Sequence, residues 1–370
     1  MTTPREVAGA RVLVVHEWLL NWAGAERQLN EIMNVVPHAD LIVGVASAEV
    51  RKERQAVRKA RETWLARIPG ARSHHRLFIP LQFAAFRWID THAYDLVISS
   101  SAGFAKAVRA APGRPHVCYC YSPPRYLWDM ADTYETHEGR WMSAALRLGR
   151  APLRALDRLS ASGITHFAGI SEFVARRVRR AYGRDASVIY PAVEAKPADP
   201  RSREGFLLTL GRLVAYKRVD VAIDAAQRLE IPLVIAGDGP ERERLERRAE
   251  RRGGVTFLGN VSEVEAGNLM ERCRAFVFCA EEDFGIAPIE ANAHGAPVVG
   301  LARGALTETM TGDTAEFFES ADAPLVSAAI ERAFSRRWDN VLLRSNAERF
   351  APSRFRREFG DLLSAALRRD

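Results

Sequence analysis

Short apolar runs alternate with amphipathic stretches along most of the chain. RVLVVHEW (11–18), ADLIVGVA (39–46), DLVISS (95–100), PHVCYCY (115–121) and THFAGIS (165–171) read as strands, and AERQLNEIMNVV and EFVARRVRRAYG between them have helical spacing. The rhythm restarts after residue 205 with GFLLTLG, PLVIAGDG, VTFLGNVS and RAFVFCA, separated by VDVAIDAAQRLE, PERERLERRAERRG and EVEAGNLMERC. Strands separated by helices predict parallel sheets covered on both faces, and two such series predict two sheets. Residues 194–205, EAKPADPRSREG, are polar and hold two prolines, as expected of a linker between domains at 1–193 and 206–345. Residues 346–370 read as helix broken near Pro352, either finishing the second domain or crossing back to the first. A ligand shared by two open sheets is expected at the carboxyl ends of their strands, in the cleft.

Composition supports this outline. The 370 residues, 47% of them apolar, suffice for two cores, and with 27% charged residues and ordinary Gly and Pro levels disorder is a poor reading. Cys118, Cys120, Cys273 and Cys279 lie in or beside apolar strands with no zinc-ligand spacing, and no signal peptide is read; they are expected as buried thiols in a reducing, cytoplasmic compartment. No apolar run is long enough to span a membrane. The net charge of +7 is concentrated in RKERQAVRKARETW (51–64) and RWMSAALRLGRAPLRALDRL (140–159). The second run interleaves leucines with Arg147, Arg150, Arg154 and Arg158, and two readings stand: a helical hairpin on an anionic membrane surface, or a solvated face over an ordinary core. Nucleic acid is not expected as a partner, since no reader motif accompanies the charge.

Candidate chemistry clusters in the second half. In CAEEDFGIAPIEANAHGAP, Glu282 stands at the mouth of an apolar strand and Glu290 in the helix behind it, with the amides of Gly285 and Ile286 between. Arg212 and Lys217 follow the strand LLTL. Cations at one strand end and carboxylates at another suit a ligand that is phosphate at one end and sugar at the other. Gly237 and Gly239 in AGDGP either leave room for a flat base or make a tight strand-to-helix turn. RGALTE (303–308) supplies amides where a pyrophosphate could rest. In WLLNWAGAERQL, Gly24 allows close backbone approach before a helix whose amides could hold a phosphate, though a purely structural helix start explains it as well. Neither GxGxxG nor a Walker pattern is present. His16 and His116 read as structural.

The ordered run GRLVAYKRVD, AGDGP, FLGNVS, EEDFGIAPIEANAHGAPVVG and GALTE resembles the donor domain of retaining glycosyltransferases of family 4, with the GT-B fold of two Rossmann-like domains facing across a cleft. HEWL, WAGAE, YCYSPPRYLWD (119–129) and VIYPAVE (188–194) extend the resemblance to the bacterial subgroup that builds surface polysaccharides, often as mannosyltransferases. It weakens over 47–92 and 135–160.

The resemblance implies that Arg212 and Lys217 hold the donor diphosphate and stabilise the charge of the departing group. It implies that Glu282, with the Gly285 and Ile286 amides, holds the transferred hexose and that Glu290 holds the ribose. Gly24, Gly237, Gly239, Phe284 and Ala305 complete the donor contacts, and Tyr121, Arg125, Trp128 and Asp129 face the acceptor. It implies GDP-mannose as donor, no cofactor, no metal requirement, and a polyprenyl-diphosphate-linked saccharide as acceptor at the inner membrane face. A UDP-sugar donor, a sugar-nucleotide epimerase and a non-catalytic binding module are the alternatives. Two departures stand out: Tyr121 replaces the histidine common in YC-H-SP, and Ala23 replaces a common glycine.

Overall fold

The computed structural model describes residues 4–53, 57–72, 78–129, 140–194 and 203–368. The chain divides into two compact units, residues 1–192 with 352–370, and residues 193–351. Most of the proposed linker, residues 195–202, lies outside the described residues.

The first unit is built on a seven-stranded sheet of order β3-β2-β1-β4-β5-β6-β7. Its strands are β1 Val12–Leu19, β2 Asp40–Ala46, β3 Arg61–Glu62, β4 Leu96–Ser101, β5 His116–Cys120, β6 His166–Gly169 and β7 Ala186–Val188. All neighbours pair in parallel. β4 is buried at every position and β1 at nearly all, as strands covered on both faces must be. Local signals set helix ends: Ser171 Oγ accepts the Val174 amide at the start of helix Glu172–Tyr182, and Gly183, at φ 66°, ends it in the left-handed region.

The C-terminal helix Pro352–Leu367 belongs to this unit. Phe355 and Phe359 stack at 5.3 Å and meet Tyr119 edge-on, each at 5.6 Å. Both phenylalanines are fully buried, and burial of each contributes roughly 2–3 kcal/mol. Arg356 Nε donates to Glu31 Oε2 at 2.7 Å, tying the helix to Gly24–Val35. Asn346 lies instead in helix Asn340–Glu348 of the second unit, where its amide donates to Asn292 Oδ1 at 2.9 Å.

The expected hairpin at 140–159 is one helix, Arg140–Ala161, that continues through Pro152. Two of its arginines lie against an aromatic ring. The Arg154 and Arg158 guanidinium groups each lie 5.0 Å from the Trp128 ring, and Arg154 Nε donates to Leu127 O at 2.6 Å. Among the described residues no helix is long and apolar enough to cross a membrane. All four cysteines are buried and free.

The second unit is a six-stranded parallel sheet of order β10-β9-β8-β11-β12-β13. Its strands are β8 Leu207–Leu210, β9 Leu233–Ala236, β10 Val255–Gly259, β11 Ala275–Phe278, β12 Val298–Leu301 and β13 Ala315–Phe318. Leu207, Ile235, Val277 and Val299 fill its core from the sheet, and Ile223 and Ile330 fill it from helices Val219–Arg228 and Ala323–Ser335.

Candidate active site

In the second unit the chain leaves β8 toward β9 and β10, then returns to the other side of β8 for β11. The loops after β8 and β11 therefore diverge, which opens a crevice at the carboxyl ends of these strands. A shallow hollow, open to solvent, lies there, lined by Thr209, Gly211, Lys217, Ala236, Phe278 and Ala280 among others.

Lys217 ends a short 3₁₀ turn, Ala215–Lys217, and its Nζ lies 3.0 Å from Glu282 Oε1 in the loop after β11, both side chains about one-fifth exposed. Gly211 makes this approach possible. At φ 142°, its missing Cβ would stand 2.9 Å from Lys217 Nζ. Arg212 is exposed, and its guanidinium has no ion-pair or hydrogen-bond partner among the described residues. Glu290 is half-buried in the second turn of helix Ile286–Ala293, which starts after Gly285 at φ 83°. Pro288, third in this helix, has no N–H, so the first-turn amides facing outward are those of Ile286 and Ala287.

Several expected donor contacts have different reasons for their residue type. A Cβ on Gly237 would meet Gly211 O at 2.1 Å, and one on Gly239 would meet Leu213 O at 2.3 Å. The space these glycines leave is thus filled by the neighbouring loop, not held open for a base. Leu213 N donates to Asp238 O and Gly237 N to Gly259 O, clamping three loops together. Phe284 is 4% exposed and meets Phe350 edge-on at 5.5 Å, so its ring serves the core rather than a ligand. The Ala305 amide donates to Glu282 O at 3.0 Å, so the turn at 303–308 braces Glu282 instead of offering that amide to a pyrophosphate.

The first unit has its own reversal point, between β1 and β4. There His16 Nδ1 lies 2.9 Å from Ser100 Oγ, which lies 2.8 Å from the Tyr121 hydroxyl; Tyr121 in turn donates to Ala25 O at 3.0 Å. Burial pushes the Tyr121 phenol well above its ordinary range, so it acts as a neutral hydrogen-bonding group. Gly24 opens helix Gly24–Val35, and Glu26 caps that start by accepting the Ala23 amide at 3.0 Å. On the same strand Glu17, 4% exposed, accepts from Ser101 Oγ and from the amides of Ala102, Gly103 and Ala105.

The loop after β5 is fastened to the unit's interior. Trp128 Nε1 donates to Asp157 Oδ2 at 2.8 Å, and Asp129 pairs with the buried Arg177 at 2.5 Å. These two, expected at the acceptor, thus direct their polar groups to the protein; Tyr121 does the same, and Arg125 is half-buried beside them. Asp157, fully buried, also accepts from Tyr182 and lies 2.7 Å from Lys106 Nζ, itself 1% exposed. Sequence reading missed Glu17, Lys106 and Asp157. The available signal was charge on a core stripe: a lysine inside AGFAKAV, and an aspartate in line with the small residues Ser160 and Ala161 on one helix face. His116 is structural, as read: fully buried and bonded to Ser99 Oγ at 2.8 Å, it is pushed by burial down to about 3 and is neutral.

The loops that carry Lys217 and Glu282 fall within residues 193–350, which match the family described as glycosyl transferases group 1. Residues 22–196 match the description glycosyltransferase family 4. The chain belongs to glycosyltransferase family 4. Among curated relatives this family 4 chain is 30% identical over 142 residues to the O-antigen chain mannosyltransferase C of Escherichia coli, covering 37% of this chain and 38% of that one. It is 39% identical over 115 residues to a GDP-mannose-dependent alpha-(1-6)-phosphatidylinositol dimannoside mannosyltransferase of Mycobacterium tuberculosis, 29% of this chain and 30% of that one. The chain thus aligns with well under half of these relatives' length. The fold matches solved structures over nearly its whole length. Anabaena HepE in complex with UDP and glucose superposes with a TM-score of 0.72 at 18% identity, covering 96% of this chain and 100% of that one. The lipopolysaccharide outer core galactosyltransferase WaaB superposes with 0.69 at 15% identity, covering 96% and 99%. The family 4 chain therefore has the GT-B fold.

Proposed function

We propose that the protein transfers a hexose, mannose from GDP-mannose, to a lipid-linked saccharide with retention of anomeric configuration, during assembly of a surface polysaccharide at the inner membrane face. One observation carries the reading: Lys217 and Glu282 meet at 3.0 Å across the crevice between β8 and β11, beside the exposed cation of Arg212. In this reading Lys217 and Arg212 take the diphosphate through charge-assisted hydrogen bonds, which strengthen as negative charge grows on the leaving oxygen. Glu282 accepts from hexose hydroxyls and Glu290 from the ribose. The acceptor hydroxyl attacks the face the nucleotide leaves, and the leaving phosphate takes its proton. Two protein cations supply the charge that a divalent metal would otherwise provide. Names of the curated relatives support mannose and GDP-mannose. A UDP-sugar donor is the second reading, favoured by the fold's match to a protein solved with UDP-glucose.

The test is incubation of the purified protein with a panel of nucleotide sugars, with and without EDTA, following binding and slow hydrolysis of each. Selective turnover of GDP-mannose, unaffected by EDTA, is expected. Selectivity for a UDP-sugar overturns the mannosyl assignment, and an epimerised nucleotide sugar as product overturns transfer itself.

A further inference from the structure

At the carboxyl end of the first sheet, the direction of one chain of hydrogen bonds is fixed by its last member. Ala25 O can only accept, so Tyr121 gives it its one hydroxyl proton. The Tyr121 oxygen then accepts from Ser100 Oγ, whose proton is thereby used, and Ser100 must accept from His16. His16 is therefore protonated at Nδ1, and in the neutral ring Nε2 holds the lone pair. No described residue bonds Nε2, although His16 is 2% exposed. Unlike His116 Nδ1, this nitrogen is not enclosed, so it is open to a partner from outside the described residues.

The position narrows the occupant. His16 pairs in register with Ser100 across the β1–β4 reversal, where open α/β sheets receive ligands. An acceptor nitrogen at that place asks for a donor, and the donors a saccharide offers in number are its hydroxyls. We propose that His16 Nε2 accepts a hydrogen bond from a hydroxyl of the acceptor saccharide, with Ser100 and Tyr121 as positioning residues that hold the ring in the tautomer this contact needs. The proposal rests on the glycosyl-transfer reading above. It also gives Tyr121 a reason to carry a hydroxyl: the phenol orders the relay without reaching the ligand.

The experiment is long-range ¹H–¹⁵N NMR on the full chain labelled at histidine, with His16→Gln to assign the ring. Wild type is expected to show the Nδ1–H tautomer, and Tyr121→Phe and Ser100→Ala to populate the Nε2–H form. Adding methyl α-mannoside with GDP is expected to shift His16 Nε2 in the wild type. For transfer, His16→Ala is expected to lower kcat/KM for the acceptor roughly tenfold, the loss of about one hydrogen bond. His16→Gln, which keeps an acceptor oxygen, should recover part of the loss. An Nε2–H tautomer in the wild type, or an Nε2 signal unmoved at saturating mannoside, overturns the proposal and leaves water as the partner. If no nucleotide sugar is turned over, the glycosyl-transfer reading fails, and with it this inference; if donor is turned over and Nε2 does not respond, this inference fails alone.

Discussion

Lys106→Met removes the cation of a fully buried pair and leaves the Asp157 carboxylate in the interior. Lys106 Nζ lies 2.7 Å from Asp157 Oδ1, with side-chain exposures of 1% and 0%. Breaking such a pair from one side costs about 3–5 kcal/mol, because the remaining charge stays desolvated. Asp157 keeps the Trp128 indole and the Tyr182 hydroxyl as donors, which puts the expectation at the low end. A loss of about 3 kcal/mol corresponds to a fall in Tm of roughly 6–12 °C for a unit of this size. Burial opposes the lysine's charge, but Asp157 more than offsets it and holds Lys106 above its ordinary value. The pair's stabilisation is therefore fully present below the ordinary lysine value and lost only as pH rises through the higher folded one, so the penalty should be equal at pH 6 and 8. The assay is urea unfolding of the wild type, Lys106→Met, Asp157→Leu and the double variant. The double variant should be at least ~2 kcal/mol less damaged than the sum of the singles, since it leaves no orphaned charge. A Lys106→Met cost below ~1 kcal/mol, or simple additivity, would refute the reasoning.

Lys217→Met should lower kcat by roughly 10²–10³ if the ammonium stabilises the leaving diphosphate, with a smaller change in donor affinity; steady-state kinetics against donor concentration separate the two, and an unchanged kcat removes Lys217 from the mechanism. Gly237→Ala drives a methyl to 2.1 Å from Gly211 O at φ 127° and should destabilise the second unit by more than ~2 kcal/mol, read from its urea midpoint. His116 is neutral in the fold and titrates in the unfolded chain near 6.5, so the unfolded state binds more protons between about pH 3 and 6.5. Stability should fall with acid in that window by up to ~1.4 kcal/mol per pH unit, and the slope contributed by His116 should vanish in His116→Gln, as measured by midpoints across pH.

Much of this architecture was legible because strand and helix periodicities are local. Stretches such as VLVV (12–15) and AFVF (275–278) are apolar at every position since parallel strands are buried on both faces, so both series could be read without contacts. The reversal of strand order, which decides where a crevice opens, leaves no mark on periodicity, whereas motif order already placed Arg212 and Lys217 after one strand and Glu282 and Glu290 after another. Their meaning there was decided by packing. Gly237 and Gly239 looked alike as base-facing or turn glycines until the carbonyls of Gly211 and Leu213 filled the space beside them. Phe284 and Ala305, adjacent in motif to ligand groups, turned inward because Phe350 and Glu282 O lie against them. Trp128 and Asp129 read as a polar, aromatic surface cluster, but their partners Asp157 and Arg177 come from helices 29 and 48 residues away. The sequence by itself determined which segments are strands and which carry charge at their ends. Only the tertiary structure decided which charges meet one another, because burial and pairing depend on what distant segments bring to the same few ångströms.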